Sequence, residues 1–186
     1  MIGKVLRGRN VRRLLYYLYG PGQANEHTDP HLVAGFGDPA ELEPERRPEG
    51  TRDFRRLTGL LEQPLAAVAG PGYDKPVWHC AVRAAPEDPA LSDAEWALVA
   101  AGVMHRTGLA PADDDLGVRW VAVRHAADHV HIVATLARQD GRRPRIWGDY
   151  YRVRVAHSCQ RWYATSRLSP SAPATASGQA PASIAL

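Results

Sequence analysis

Apolar residues near the N-terminus follow first the period of a strand and then that of a helix. Apolar residues within positions 2–6 predict a strand, and Asn10 is a suitable cap for a helix that Gly20 ends. Within this helix the apolar positions recur at the i, i+3, i+4 and i+7 spacing, namely at Val11, Leu14, Leu15 and Leu18. The sequence therefore begins with a strand and an amphipathic helix.

The rest of the sequence contains segments with the period of a strand and segments with the period of a helix. Strands are predicted within residues 32–36, 75–84, 116–125 and 129–136, and helices within residues 51–64 and from Asp149 onward. Ser92 and Glu95 have capping-box spacing at the start of a third helix, which Gly108 ends. Residues 37–50 are rich in proline and charge and predict an exposed loop. The pattern indicates an α+β fold: one antiparallel sheet of about five strands with helices packed on one face.

Three histidines lie in the predicted hairpin at residues 116–136. Because strand side chains alternate, His129 and His131 share a face and stand about 7 Å apart. If residues 126–128 form a three-residue loop, His125 pairs opposite His129 and its ring joins that face. Asp128 is a carboxylate that could orient one of the rings.

This grouping of His125, His129 and His131 predicts a divalent metal site on the sheet face opposite the helices. A single strand histidine is usually structural, but three rings on one face repel when protonated and are costly to bury charged. Three nitrogen donors without cysteine leave open coordination positions, as catalytic sites do, and they do not identify the ion. His79, in the strand at residues 75–84, is a further candidate neighbour.

Composition narrows the class of protein. The 186 residues fit one domain with a tail, and a net charge of +3 mildly favours an acidic partner. Cys80 and Cys159 have no disulfide or zinc spacing, which favours a reducing, cytoplasmic compartment. We expect no signal peptide and no membrane span. Residues 1–165 are predicted to form the domain, and the Ser/Ala/Pro-rich residues 166–186 a disordered tail.

Two motifs together resemble a known family. The histidine motif comprises His125 and the run His129-Val130-His131-Ile132-Val133, and the tyrosine motif is Leu15-Tyr16-Tyr17-Leu18. Over roughly residues 1–165 the chain resembles the relaxases of conjugative and mobilisable DNA, which nick single strands at a His-hydrophobic-His site.

The resemblance implies a mechanism and its components. Tyr17 would be the nucleophile, the three histidines would hold Mg²⁺ or Mn²⁺, and the product would be a 5′-phosphotyrosine link. Tyr17 and Tyr19 border the apolar helix face on opposite flanks, whereas Tyr16 points away from the core. Tyr19 is the second candidate nucleophile, and His27 or an activated water would serve if neither tyrosine does. His79 is the substitute third ligand.

The implied partner is single-stranded DNA at an origin of transfer, with accessory mobilisation or coupling proteins as further partners. Arginines beside the motifs are expected to bind its sugar-phosphate backbone. These are Arg7, Arg12, Arg142, Arg143 and Arg145.

Three other functions fit the same residues. The first is a metal-dependent hydrolase that forms no covalent intermediate. The second is a DNA-binding module without catalysis, and the third is a replication initiator or transposase of the same nuclease superfamily. A relaxase would form a protein-linked DNA product, whereas the hydrolase and the DNA-binding module would not.

Overall fold

A computed structural model describes residues 2–22, 27–146 and 148. The predicted helix at Asp149 and the predicted boundary between residues 165 and 166 lie outside these ranges. The strands are β1 (Ile2–Gly8), β2 (His31–Gly35), β3 (Glu45–Arg46), β4 (Arg52–Asp53), β5 (Val77–Arg83), β6 (Val118–Ala126) and β7 (His129–Arg138). The helices are α1 (Val11–Tyr19), α2 (Pro39–Leu42), α3 (Arg55–Glu62), a 3₁₀ segment (Gln63–Ala67) and α4 (Asp93–Thr107).

The main sheet has five strands in the order β1-β5-β7-β6-β2, and every neighbouring pair is antiparallel. The predicted α+β class with a five-stranded antiparallel sheet is confirmed. The predicted loop at residues 37–50 is partly structured, because it contains α2 and β3, and β3 pairs with β4 in a small second sheet. Asp38 caps α2 by accepting a hydrogen bond from the Ala40 amide, a local bond that the loop prediction did not consider.

Helices pack on both faces of the main sheet, so the prediction of helices on one face only is wrong. On one face α4 packs on a cluster that includes Trp78, Cys80, Val82, Val130 and Ile132. On the other, α1 and α3 pack on a cluster that includes Val121, Val123 and Val133. The central strands carry apolar residues on both faces, and each face must be buried. The three histidines lie on the α1/α3 face.

Local capping sets the bounds of α1, as the sequence predicted. The Asn10 side chain accepts a hydrogen bond from the Arg13 amide at 2.7 Å, and the Gly20 amide closes the helix on the Tyr17 carbonyl. Val11, Leu15 and Leu18 are fully buried. This buried stripe holds α1 against the sheet, with its C-terminal end directed toward the histidines.

The predicted capping box of α4 is also present. Ser92 accepts from the Glu95 amide, and the Glu95 carboxylate accepts from the Ser92 amide at 2.8 Å. Gly108 ends the helix in the left-handed conformation, at φ 73°. None of the described helices combines the length and the apolar character that crossing a bilayer requires.

Loss of the α4 cap tests this account of the fold. Ser92→Ala should lower the free energy of unfolding by about 1 kcal/mol, because the Glu95 amide at the helix N-terminus loses its acceptor. Ser92→Gly is the matched control and should cost only a few tenths of that, because the backbone then admits water. Urea unfolding followed by circular dichroism measures both. Equal effects of the two substitutions would contradict the capping role.

Candidate metal centre

The side chains of His125, His129 and His131 converge at one end of the β6–β7 hairpin. One nitrogen from each ring can be chosen so that all three lie within 4.8 Å of one another. His125 and His129 are buried, and His131 is partly exposed. The predicted three-histidine cluster is therefore present in the fold and has one open side.

The hairpin differs from the predicted one only in the pairing next to its loop. Its loop is two residues long, 127–128, and Ala126 rather than His125 pairs with His129. Val123 pairs with His131, and His125 is two residues further along β6, so strand alternation alone places the ring of His125 on the histidine face. A register shift between Arg124 and Ala126 makes His125 the extra residue of a bulge next to the loop, and its ring stays on the face of His129.

Burial favours the neutral form of His131 and of its neighbour His79, and the neutral imidazole is the form that binds metal ions. Burial and the neighbouring histidines lower the pKa of His131 to about 2. The ring of His79, on the adjacent strand β5, is also buried, and burial lowers its pKa to about 4. At neutral pH both rings carry a nitrogen lone pair.

Asp128 orients the ring of His129. The Nδ1 of His129 lies 2.6 Å from Asp128 Oδ1, and Arg83 Nε lies 3.3 Å from the other carboxylate oxygen. Burial opposes ionisation of Asp128, but its hydrogen bond to His129 and the nearby charge of Arg83 lower its pKa. With the Nδ1 proton held by Asp128, the Nε2 of His129 is left to face a metal ion.

His79 orients the ring of His131 rather than joining the convergent set. The Nε2 of His79 lies 2.8 Å from Nδ1 of His131. If His131 binds metal through Nε2, its Nδ1 carries the proton and donates it to His79. The sequence named His79 as a substitute ligand, whereas this geometry makes it a support for His131.

Tyr17 reaches the cluster through His27. The Tyr17 ring is 46% exposed and lies 5.5 Å from the His27 ring, edge to face. The His27 ring lies in turn 3.7 Å from that of His125, and its Nδ1 donates to the Gly20 carbonyl at 2.8 Å. Tyr17 therefore stands at the β6 side of the cluster with part of its ring open to solvent.

The other two tyrosines of α1 contact different parts of the protein. The Tyr16 ring packs against Phe54 at 4.7 Å. The Tyr19 hydroxyl donates to the Glu43 carboxylate at 3.1 Å, and burial together with that carboxylate raises the pKa of Tyr19. Neither ring belongs to the chain of contacts that joins Tyr17 to the histidines.

The predicted DNA-binding arginines do not gather at the cluster. Arg7 pairs with Trp78 in the sheet, so its side chain leaves on the α4 face. Arg12 is exposed and lies over the Tyr16 ring. The exposed Arg142, Arg143 and Arg145 follow the far end of β7, about 30 Å from His129 at the usual rise per strand residue.

Two basic residues that the sequence analysis did not propose lie closer to the histidine cluster than the predicted arginines do. Arg83 pairs with His129, and Lys4 pairs with Ala81, which in turn pairs with His131. Strand alternation could not predict that Lys4 and Arg83 lie near the histidines. The order and register of β1, β5 and β7 decide which residues become neighbours, and alternation within one strand does not reveal them.

The donor set fits a divalent transition ion. Neutral imidazole nitrogens suit borderline ions, whereas Mg²⁺ prefers oxygen and would depend on water and phosphate for most of its ligands. Comparisons with protein-family models, with curated proteins and with solved structures found no match to this chain. Function is therefore inferred from the described geometry.

We predict that the cluster binds one Mn²⁺ ion. His129→Ala together with His131→Ala should abolish binding measured by titration calorimetry, because one donor remains, while circular dichroism stays unchanged. His105→Ala is the matched control, since His105 is exposed on α4. Unchanged affinity in the double variant would rule out this cluster as the site.

Asp128→Asn tests the orientation of His129. We expect Mn²⁺ affinity to fall by about 10- to 100-fold, because an amide is a weaker acceptor for the ring N–H than a carboxylate. The same titration measures this change. Full affinity in Asp128→Asn would mean that Asp128 does not control the ligand.

Proposed function

We propose that this protein nicks single-stranded DNA by attack of Tyr17 at a metal ion held by His125, His129 and His131. The observation that carries the proposal is the ring contact of Tyr17 with His27, which places a half-exposed phenol beside a three-histidine cluster. A nucleophile next to an open metal site is the arrangement that a covalent phosphoryl transfer needs.

The proposed reaction uses a bound divalent cation and the hydroxyl of Tyr17. A bound divalent cation, Mn²⁺ or Mg²⁺, would polarise the scissile phosphate and offset its charge. The Tyr17 oxygen forms a bond to phosphorus and loses its proton, while the bond to the 3′-oxygen breaks and that oxygen takes up a proton. The products are a 5′-phosphotyrosine and a 3′-hydroxyl. His27 fixes the ring of Tyr17 for this attack.

The phosphotyrosine retains the energy of the broken ester, so the step can reverse and rejoin strands. This property suits mobilisation of a plasmid or integrative element from an origin of transfer, as in the relaxases that the chain resembles. Accessory mobilisation or coupling proteins would then act with it in the cytoplasm. A replication initiator or transposase would use the same chemistry at a different DNA sequence.

Tyr17→Phe tests the nucleophile. The substitution removes only the hydroxyl, so covalent DNA adducts should fall below detection while metal binding is kept. Tyr16→Phe is the matched control, because Tyr16 is a similarly exposed tyrosine on the same helix. Tyr19→Phe should also retain the adduct, since the Tyr19 hydroxyl is committed to Glu43.

The assay uses a pool of randomised single-stranded DNA with Mn²⁺ and a denaturing gel. Because the bond forms to the 5′-phosphate, a 3′-end label should travel with the protein and a 5′-end label should not. Chelation of the metal should stop the reaction. Cleavage without any protein-linked label would instead support a hydrolase, and salt-sensitive binding without cleavage a DNA-binding module.

A further inference from the structure

An open strip of sheet lies directly beside the histidine cluster. Lys4 of β1 pairs with Ala81 of β5, which pairs with His131. Arg83 occupies the next position on this face of β5 and pairs with His129. Paired residues share a face, so Lys4, Ala81 and Arg83 extend the histidine face outward to the edge of the sheet.

The apolar cluster on this face stops short of the strip. It includes no residue of β1 and, from β5, only Val77. Lys4 is exposed, Leu6 is 43% exposed and the Arg83 side chain is 62% exposed. The opposite face of β5 is core, with Trp78, Cys80 and Val82 all buried. In this part of β1 and β5, one face of the sheet is packed into the core, whereas Lys4, Leu6 and Arg83 on the other face are exposed to solvent.

The charges of the strip favour a polyanion. Lys4 and Arg83 are its charged residues, and no acidic residue lies on this face of the described parts of β1 and β5. The nearest carboxylate, Asp128, is engaged by Arg83 and His129. Lysine and arginine donate to phosphate oxygens, and Leu6, on the side of Lys4 away from Arg83, offers apolar area to a sugar or base.

The position of Tyr17 assigns a direction to the DNA. Tyr17 approaches the cluster from the β6 side, through His27 and His125. In phosphoryl transfer the attacking and leaving oxygens lie roughly in line with phosphorus. The leaving 3′-oxygen therefore points away from β6, across β7 toward β5 and β1.

We propose that the strip formed by Lys4, Leu6, Ala81 and Arg83 binds the DNA segment that ends in the leaving 3′-oxygen. This inference rests on the proposed function. Lys4 lies two strands from His131, or about 10 Å at the usual strand spacing, so it contacts a phosphate beyond the scissile one.

The lysine content of the chain permits a direct test. Lys4 and Lys75 are the two lysines of the sequence, and both are exposed. The full chain is acetylated with and without an oligothymidylate that ends in a 3′-hydroxyl, in the presence of chelator so that no cleavage occurs. Mass spectrometry should show that DNA protects Lys4 while Lys75 reacts as before. Equal reactivity of Lys4 with and without DNA would overturn the proposal.

Substitution gives an independent measurement. Lys4→Ala should reduce the salt dependence of oligothymidylate affinity by one phosphate contact, a change in slope of about 0.7. Lys75→Ala and Arg142→Ala are the controls and should keep the wild-type slope. If Arg142→Ala reduces the slope and Lys4→Ala does not, the DNA binds at the far end of β7 and the proposal for the strip is wrong.

Photocrosslinking tests the direction. A 4-thiothymidine two positions from a 3′-hydroxyl end should crosslink to β1 or β5, whereas the same base two positions from a 5′-phosphate end should not. The reverse result would overturn the assignment of the strip to the 3′-hydroxyl segment.

These measurements separate the strip from the proposed reaction. DNA nicking with an unprotected Lys4 overturns the strip and leaves the reaction standing. Protection of Lys4 with no covalent adduct supports the strip as a DNA surface and contradicts the reaction. If Lys4 becomes protected without DNA as protein concentration rises, the strip is a contact between copies of the chain and the proposal is wrong.

Discussion

The register of the β6–β7 hairpin is the constraint on which the rest of the structure depends. These two strands lie at the centre of the sheet and present apolar residues to both helical layers. A slip of one residue would exchange the two faces and place histidines in the α4 core. In the observed register Val123 pairs with His131, so the alternation that keeps the valines of both strands inward also brings His125 to the face of the other two imidazoles. The bulge at His125 changes the pairing next to the loop and leaves the three rings on one face.

The apolar cluster covers only part of the α1/α3 face of the sheet, and this partial coverage gives the three histidines both burial and access to solvent. The rings must be buried enough to remain neutral, yet a substrate must reach the open coordination positions. On the α1/α3 face the apolar cluster covers β6, part of β7 and Val77 at one end of β5, and it includes no residue of β1. The histidines lie at the limit of this cluster, with His79 supporting His131 from the side that the cluster leaves open.

Features set by a few neighbouring residues could be predicted from the sequence. The Asn10 cap, the Ser92–Glu95 box and the shared face of His129 and His131 each depend on local hydrogen bonds or strand alternation. The two-residue loop and the bulge could not, because Ala126, Ala127 and Asp128 fit either loop length. The distance of Arg142, Arg143 and Arg145 from the histidines could not be predicted for another reason: nearness in sequence to a motif says little about distance when a ten-residue strand separates them.

The three tyrosines of α1 illustrate how tertiary contacts divide residues that a helical wheel treats alike. The wheel gives only their relative directions, and their chemistry comes from distant segments. Phe54 packs on Tyr16, and Glu43 binds the hydroxyl of Tyr19. A phenol buried against a carboxylate resists loss of its proton, which makes Tyr19 a poor nucleophile. Tyr17 contacts the ring of His27 instead of a carboxylate, and it does so at the edge of the metal centre.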